Sequence, residues 1–146
     1  MTGPVRIERV FEAPRPDVFR AWTDPEELSR WWGPGEFTTS YAEIDLRPGG
    51  EYLLVMQPPD GGDAMHLAGT FHEVAPPERL VYSWRWVRGW PDPAESVVTV
   101  EFEDLGARTR VVLVHDDLDD SPGGSDPYRM GWESGLDKLA ASLERS

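Results

Sequence analysis

The chain has 146 residues, enough for one domain with its own core and too few for a second full one, so residues 1–146 are read as a single domain. Its 14 Lys and Arg against 27 Asp and Glu leave a formal net charge of −13, which repels phosphate backbones and anionic headgroups and removes nucleic acid from the expected partners. The absence of cysteine excludes disulfides, thiol nucleophiles, iron–sulfur clusters and cysteine-ligated zinc together, and with them any disulfide argument for an oxidising compartment.

In chain order, Val5 to Phe11 alternates at period two and predicts a half-buried strand, ended by Pro14 and Pro16. Asp17 to Trp22 reads as a short helix, with Pro16 suited to a first helical position and Val18 and Trp22 sharing a face. A second helix starts at Asp24-Pro25-Glu26-Glu27, where Asp24 supplies the capping oxygen and the acids face the positive helix end, and it is expected to run through Trp31-Trp32 to a stop at Gly33-Pro34. Strands are predicted at about 37–46, 51–57, 66–74, 79–88, 96–104 and 108–116, divided by Pro- and Gly-rich turns. Asp116, Asp117, Asp119 and Asp120 then open an acidic loop that runs to Pro122-Gly123-Gly124. Asp126-Pro127 starts a last helix to about residue 144, with Tyr128, Trp132, Leu136, Leu139 and Leu143 on one stripe. That stripe needs an apolar surface, and the expected one is the face of a curved antiparallel sheet. The fold class is therefore α+β: seven antiparallel strands gripping a long C-terminal helix, with two short helices after the first strand. The longest aliphatic run, Val111 to Val114, is far below the roughly 18 apolar residues of a membrane span, and Met1-Thr2-Gly3-Pro4 opens no signal peptide. No membrane insertion is expected, and the cytoplasm is the expected location.

The chain resembles the SRPBCC (START-like, helix-grip) superfamily and, within it, the branch named for the activator of heat-shock protein 90 ATPase. The resemblance rests on Thr23-Asp24-Pro25-Glu26-Glu27-Leu28 with Trp31-Trp32-Gly33, on Asp45-Leu46-Arg47-Pro48-Gly49-Gly50, on Glu73-Val74 with Pro76-Pro77-Glu78-Arg79-Leu80-Val81-Tyr82-Ser83-Trp84, and on Gly131-Trp132 with Gly135-Leu136 and Leu139. It covers nearly the whole chain. It implies a hydrophobic pocket used for binding, transport or, in some members, cyclase-type chemistry on apolar small molecules, with no shared catalytic signature. The eukaryotic activator has a separate N-terminal domain that makes much of its contact with the chaperone. This chain begins directly at the grip domain, so a chaperone partner is not the expectation.

Alternation selects the inward residues. Tyr82, Trp84 and Trp86 oppose Ser83 and Arg85; Val98, Val100 and Phe102 oppose Thr99, Glu101 and Glu103; Tyr52, Leu54 and Met56 are chosen over Leu53 and Val55. Such side chains form either a solid core or the wall of a ligand-sized cavity, and the resemblance favours the cavity. Trp32, Trp132, Leu136 and His115 complete the expected lining, with Gly135, which lies about 60° from the centre of the helical stripe, where a side chain would project between helix and sheet. Gly131 and Gly135 each cost about 1 kcal/mol inside a helix, which a cavity or a close helix–sheet approach would offset.

Catalytic and metal readings are weak. His66 and His72 share a strand but stand roughly 20 Å apart at about 3.3 Å per residue, and His115 is expected three strands from His72, so no histidine metal site is predicted. His115 has the parity of Val111 and Leu113 and reads as a satisfied core histidine or, second, a proton-transfer residue. The acidic loop lacks the Gly and terminal Glu of an EF-hand, and Asp45 with Arg47 reads as a turn-fixing pair. Lys138 is the only lysine, and G-x-S-x-G, G-x-G-x-x-G and H-E-x-x-H patterns are missing. The expected function is a binder or carrier of a small apolar molecule, aromatic or lipid-like, in a cavity between sheet and C-terminal helix, without cofactor, metal or catalytic residue. The alternatives are a cyclase, aromatase or hydratase using His115 or Tyr82 on a polyketide-like substrate, and a chaperone ATPase activator. A homodimer is left open.

Overall fold

The computed structural model describes residues 4–33, 36–88, 95–116 and 126–144, with the side chains at 86–88, 126, 127 and 144 outside the description. Its elements are β1 (Val5–Phe11), α1 (Arg15–Thr23), α2 (Pro25–Leu28), β2 (Thr38–Ile44), β3 (Glu51–Gln57), β4 (Met65–Ala75), β5 (Arg79–Arg88), β6 (Ser96–Asp104), β7 (Thr109–Asp116) and α3 (Asp126–Glu144). The seven strands form one antiparallel sheet in the order β1-β7-β6-β5-β4-β3-β2. Six of them follow one another as a meander, and β1 returns to the far edge against β7, in register from Val5↔His115 to Phe11↔Thr109.

Burial follows the alternation. Tyr52, Leu54 and Met56 are buried while Leu53 and Val55 are only half so, and Val98, Val100 and Phe102 are buried opposite exposed Glu101 and Glu103. On the outer face Arg110 bridges Glu8 of β1 and Glu103 of β6, and Arg79 bridges Glu73 and Glu101. These exposed pairs are worth little individually.

The helices differ from expectation at their ends. α1 starts at Arg15, ahead of the expected Asp17, because the amides of Asp17 and Val18 reach the carbonyl of Pro14, a residue that cannot cap with its side chain. α2 begins as the sequence predicts, with the Asp24 carboxylate accepting from the amides of Glu26 and Glu27. It stops at Leu28 and does not run through Trp31-Trp32. The Ser29 hydroxyl turns back to the Pro25 carbonyl at 2.7 Å, the chain tightens into overlapping turns, and the Trp31 indole is drawn to the carbonyl of Ala21 at 2.9 Å. β2 is shorter than predicted and carries an irregularity between Thr39 and Tyr41. Beyond it, Asp45 and Arg47 form the expected pair (2.8 Å), and the turn presses Gly50 so close that a Cβ there would lie 2.1 Å from the Asp45 carbonyl oxygen.

β4 and β5 lose their regular ladder at Gly69 and Thr70. The Thr70 amide goes to the Ser83 hydroxyl (2.8 Å), and the Tyr52 ring lies over Gly69, with its own hydroxyl donating to the Ser83 carbonyl at 2.6 Å. Ser83, expected on the outer face, is buried for this reason. α3 buries Trp132, Leu136 and Leu139 on the predicted stripe. It is tied to the edge by Arg9–Asp137 (2.6 Å) and to the segment after α2 by Lys138, whose ammonium donates to the carbonyls of Gly33 and Phe37. No helix among the described residues is long and apolar enough to cross a membrane.

Candidate functional site: an aromatic-walled cavity under the short helices

The sheet's concave face meets two different coverings. Between β5, β7 and α3, rings of the described residues pack against one another: Trp84 and His115 lie 4.8 Å apart, Trp84 and Trp132 5.4 Å, Trp32 and Trp132 5.4 Å, and Trp22 and Trp132 6.3 Å. Under α1 and α2 the covering is looser. There a cavity of about 20 Å³ is lined by Trp22, Leu28, Trp32, Ile44, Tyr52, Leu54, Phe71, Leu80 and Tyr82. This volume exceeds the roughly 10–15 Å³ that admits a water and falls well short of a pocket preformed for a drug-sized ligand.

Four of the predicted lining residues therefore come together, Trp32, Tyr52, Leu54 and Tyr82. Met56, Trp84, Val98, Val100, His115, Trp132, Gly135 and Leu136 are buried, but they do not line this cavity. Trp86 pairs with Leu67 in the ladder, and its side chain lies outside the described residues. This cavity lies elsewhere than the expected place between sheet and C-terminal helix: its wall is closed by α1, α2 and Trp32, and no α3 residue enters it. Gly135 faces the ring of Trp31, with a Cβ there falling 3.7 Å from Cε3, so it looks onto the segment after α2 and not into a gap above the sheet. Trp22, Leu28, Ile44, Phe71 and Leu80 were missed. The helix face shared by Val18 and Trp22 was a signal for one of them, and strand parity for Leu80.

The cavity's polar equipment is sparse. Trp22 Nε1 donates to the Tyr82 hydroxyl at 3.3 Å, and the Tyr52 hydroxyl donates to the Ser83 carbonyl. Trp32 Nε1 is buried with no hydrogen-bond partner among the described residues. Burial pushes both phenols up, Tyr52 with a further contribution from Tyr82, so both stay protonated at neutral pH.

His115 is a satisfied core histidine. Trp132 Nε1 donates to its Nδ1 at 3.0 Å, and Nε2 lies 2.8 Å from Ser96 Oγ. Since an indole N–H can only donate, Nδ1 accepts, and the neutral ring carries its proton on Nε2, which donates to Ser96. Burial lowers the His115 pKa to about 3. No group of three or more metal-ligating side chains occurs among the described residues, and residues 117–125 of the acidic loop lie outside them.

A curved antiparallel sheet that grips a C-terminal helix, with two short helices after the first strand roofing an apolar cavity, is the helix-grip architecture of the SRPBCC, START-like class. The chain belongs to the family described as Activator of Hsp90 ATPase homolog 1-like protein, whose model matches residues 12–144. Among similar solved structures, the AHSA1 protein from Silicibacter pomeroyi is 30% identical, with a TM-score of 0.83 over 97% of each chain. A protein from Chromobacterium violaceum is 29% identical, with a TM-score of 0.87 over 97% of this chain and 96% of that one. One from Nitrosomonas europaea is 26% identical, with a TM-score of 0.82 over 98% and 95%. No curated protein matches the chain.

Proposed function

We propose that the protein binds and carries a small apolar molecule, aromatic or lipid-like, in the cavity beneath α1 and α2. The observation that carries this reading is the cavity wall itself: nine residues without an ionised side chain, five of them aromatic, one of which holds an unpartnered indole N–H. Such a wall suits an apolar body with little polar decoration. A ligand larger than a water enters by displacing the roof. That roof includes α2, a helix of four residues, and the turn that follows it, so it is the part of the wall with the least regular structure to disrupt.

Chemistry at His115 is disfavoured by its surroundings. Both ring nitrogens are engaged, the ring is fully buried, and its pKa of about 3 keeps it neutral near pH 7 and makes it a weak base with no acidic imidazolium to donate from. Native mass spectrometry of freshly purified protein, followed by tryptophan quenching with flavonoid-like, steroid-like and fatty-acid ligands, tests the proposal. A retained apolar molecule or saturable quenching is expected. A protein that retains nothing and quenches with none of the panel, yet raises a chaperone's ATPase rate at micromolar concentration, would replace the carrier reading with the activity in the family's name.

A further inference from the structure

We infer that the cavity selects an uncharged aromatic molecule bearing a single strong hydrogen-bond acceptor, of the aryl ketone or aldehyde class, and rejects the corresponding carboxylate. This rests on the carrier reading above and narrows its ligand.

The spare hydrogen-bonding capacity of the wall is chiefly that of a donor. Trp32 is 6% exposed and its Nε1 has no partner among the described residues, a state that costs free energy until an acceptor arrives. The Tyr82 oxygen already accepts from Trp22, and among the described residues its own proton has no acceptor. Tyr52 spends its proton on Ser83. As the roof moves, an acceptor atom of the ligand must reach the Trp32 N–H or the Tyr82 O–H, whereas a purely hydrocarbon ligand leaves both unmet. Charge is decided by the same wall. None of the nine lining residues is a cation, and the chain carries a net −13, so a carboxylate entering here loses its hydration with no counter-charge in return. The rings set the shape. Tyr52 meets Tyr82 edge-on at 5.5 Å and Phe71 meets Tyr82 at 5.8 Å, so the wall is built of rings, whose edges and faces favour an aromatic ligand over an aliphatic one.

Acetophenone, α-methylstyrene and benzoate share one shape and differ only at the acceptor, and their affinities are measured on the full chain by ligand-observed NMR at neutral pH. Acetophenone is expected to bind roughly fivefold or more tightly than α-methylstyrene, and benzoate more weakly than either. In Trp32→Phe the ketone preference should shrink to within about twofold while the hydrocarbon's affinity holds. Should circular dichroism show that variant unfolded, Tyr82→Phe carries the same comparison. Equal binding of ketone and hydrocarbon, tighter binding of benzoate, or a ketone preference untouched in the folded variants would overturn this inference and leave the carrier reading standing. Failure of all three compounds to bind up to roughly 1 mM would overturn this inference, and the carrier reading falls with it only if the flavonoid-like, steroid-like and fatty-acid ligands also fail to bind.

Discussion

Trp132 donates its indole N–H to Nδ1 of His115 at 3.0 Å, and that single bond sets the tautomer of a ring that Ser96 holds from its other side. The consequence is a histidine built to remain neutral. Protonating Nδ1 would oppose two N–H donors across one short contact, in a place with no solvent to relieve it.

Acid should therefore destabilise the fold through this residue. The folded pKa of about 3 lies below the ordinary 6.5, so as pH falls beneath about 6.5 the unfolded chain takes up a proton that the folded chain refuses. Stability attributable to His115 is complete above pH 6.5 and is lost progressively toward pH 3. Urea unfolding at pH 7.5 and pH 5.0 should differ by about 2 kcal/mol. His115→Leu should flatten that difference, and an unchanged slope in the variant would show that other groups carry it.

The same variant reads the worth of the network at pH 7.5, where protonation plays no part. His115→Leu strands the Trp132 N–H and the Ser96 hydroxyl in a dry interior, so a loss of roughly 2–4 kcal/mol is expected from its urea midpoint. A loss below about 0.5 kcal/mol would mean that the two groups find new partners at no cost.

Two glycines should respond oppositely to alanine. At Gly69 a Cβ would lie 2.0 Å from the Ser83 carbonyl oxygen and 2.6 Å from the Tyr52 ring. Neither the strand backbone nor a ring hydrogen-bonded at its far end can retreat, so Gly69→Ala should cost about 3 kcal/mol or more. At Gly135 a Cβ falls 3.7 to 3.9 Å from Trp31, an ordinary contact. Alanine there should stabilise the helix by up to about 1 kcal/mol, while Gly135→Leu should push into Trp31 and lower stability by roughly 1–3 kcal/mol. Thermal melts of the three variants give the ranking directly, and a stabilised Gly69→Ala would refute the close approach of strand and ring.

Lys138 is expected to act as a clasp. Its ammonium donates to the carbonyls of Gly33 at 2.5 Å and Phe37 at 3.1 Å, joining α3 to the segment that leaves the cavity roof. Lys138→Met keeps the stem and removes the donors. Amide exchange at residues 36–39 should then accelerate by at least about tenfold while exchange in β6 and β7 stays as it was. Uniform acceleration across the chain would assign Lys138 to global stability instead.

Local patterns along the chain define the elements and, through their order, the architecture. Period-two alternation from Tyr52 to Met56 and from Val98 to Phe102, the Asp24-Pro25 helix start and the Tyr128-to-Leu143 stripe are local signals, readable because the chain must bury one face wherever the elements later meet. The motif strings carried the family for the same reason, each being a turn, cap or packing position with its own residue requirements. Only the tertiary structure decided where space remained. Trp84, His115 and Trp132 were legible as inward-facing, yet nothing in their spacing tells that their rings pack against one another beneath α3 while Trp22, Leu28, Ile44, Phe71 and Leu80 border a cavity under α1 and α2. Ser83 is buried, where its alternation suggested exposure, with its carbonyl and hydroxyl oxygens taken by Tyr52 and Thr70, residues 31 and 13 positions away. Whether buried side chains meet or leave a void depends on sheet curvature and on the angle at which helices cross it, and those are properties of the assembled fold that no local pattern encodes.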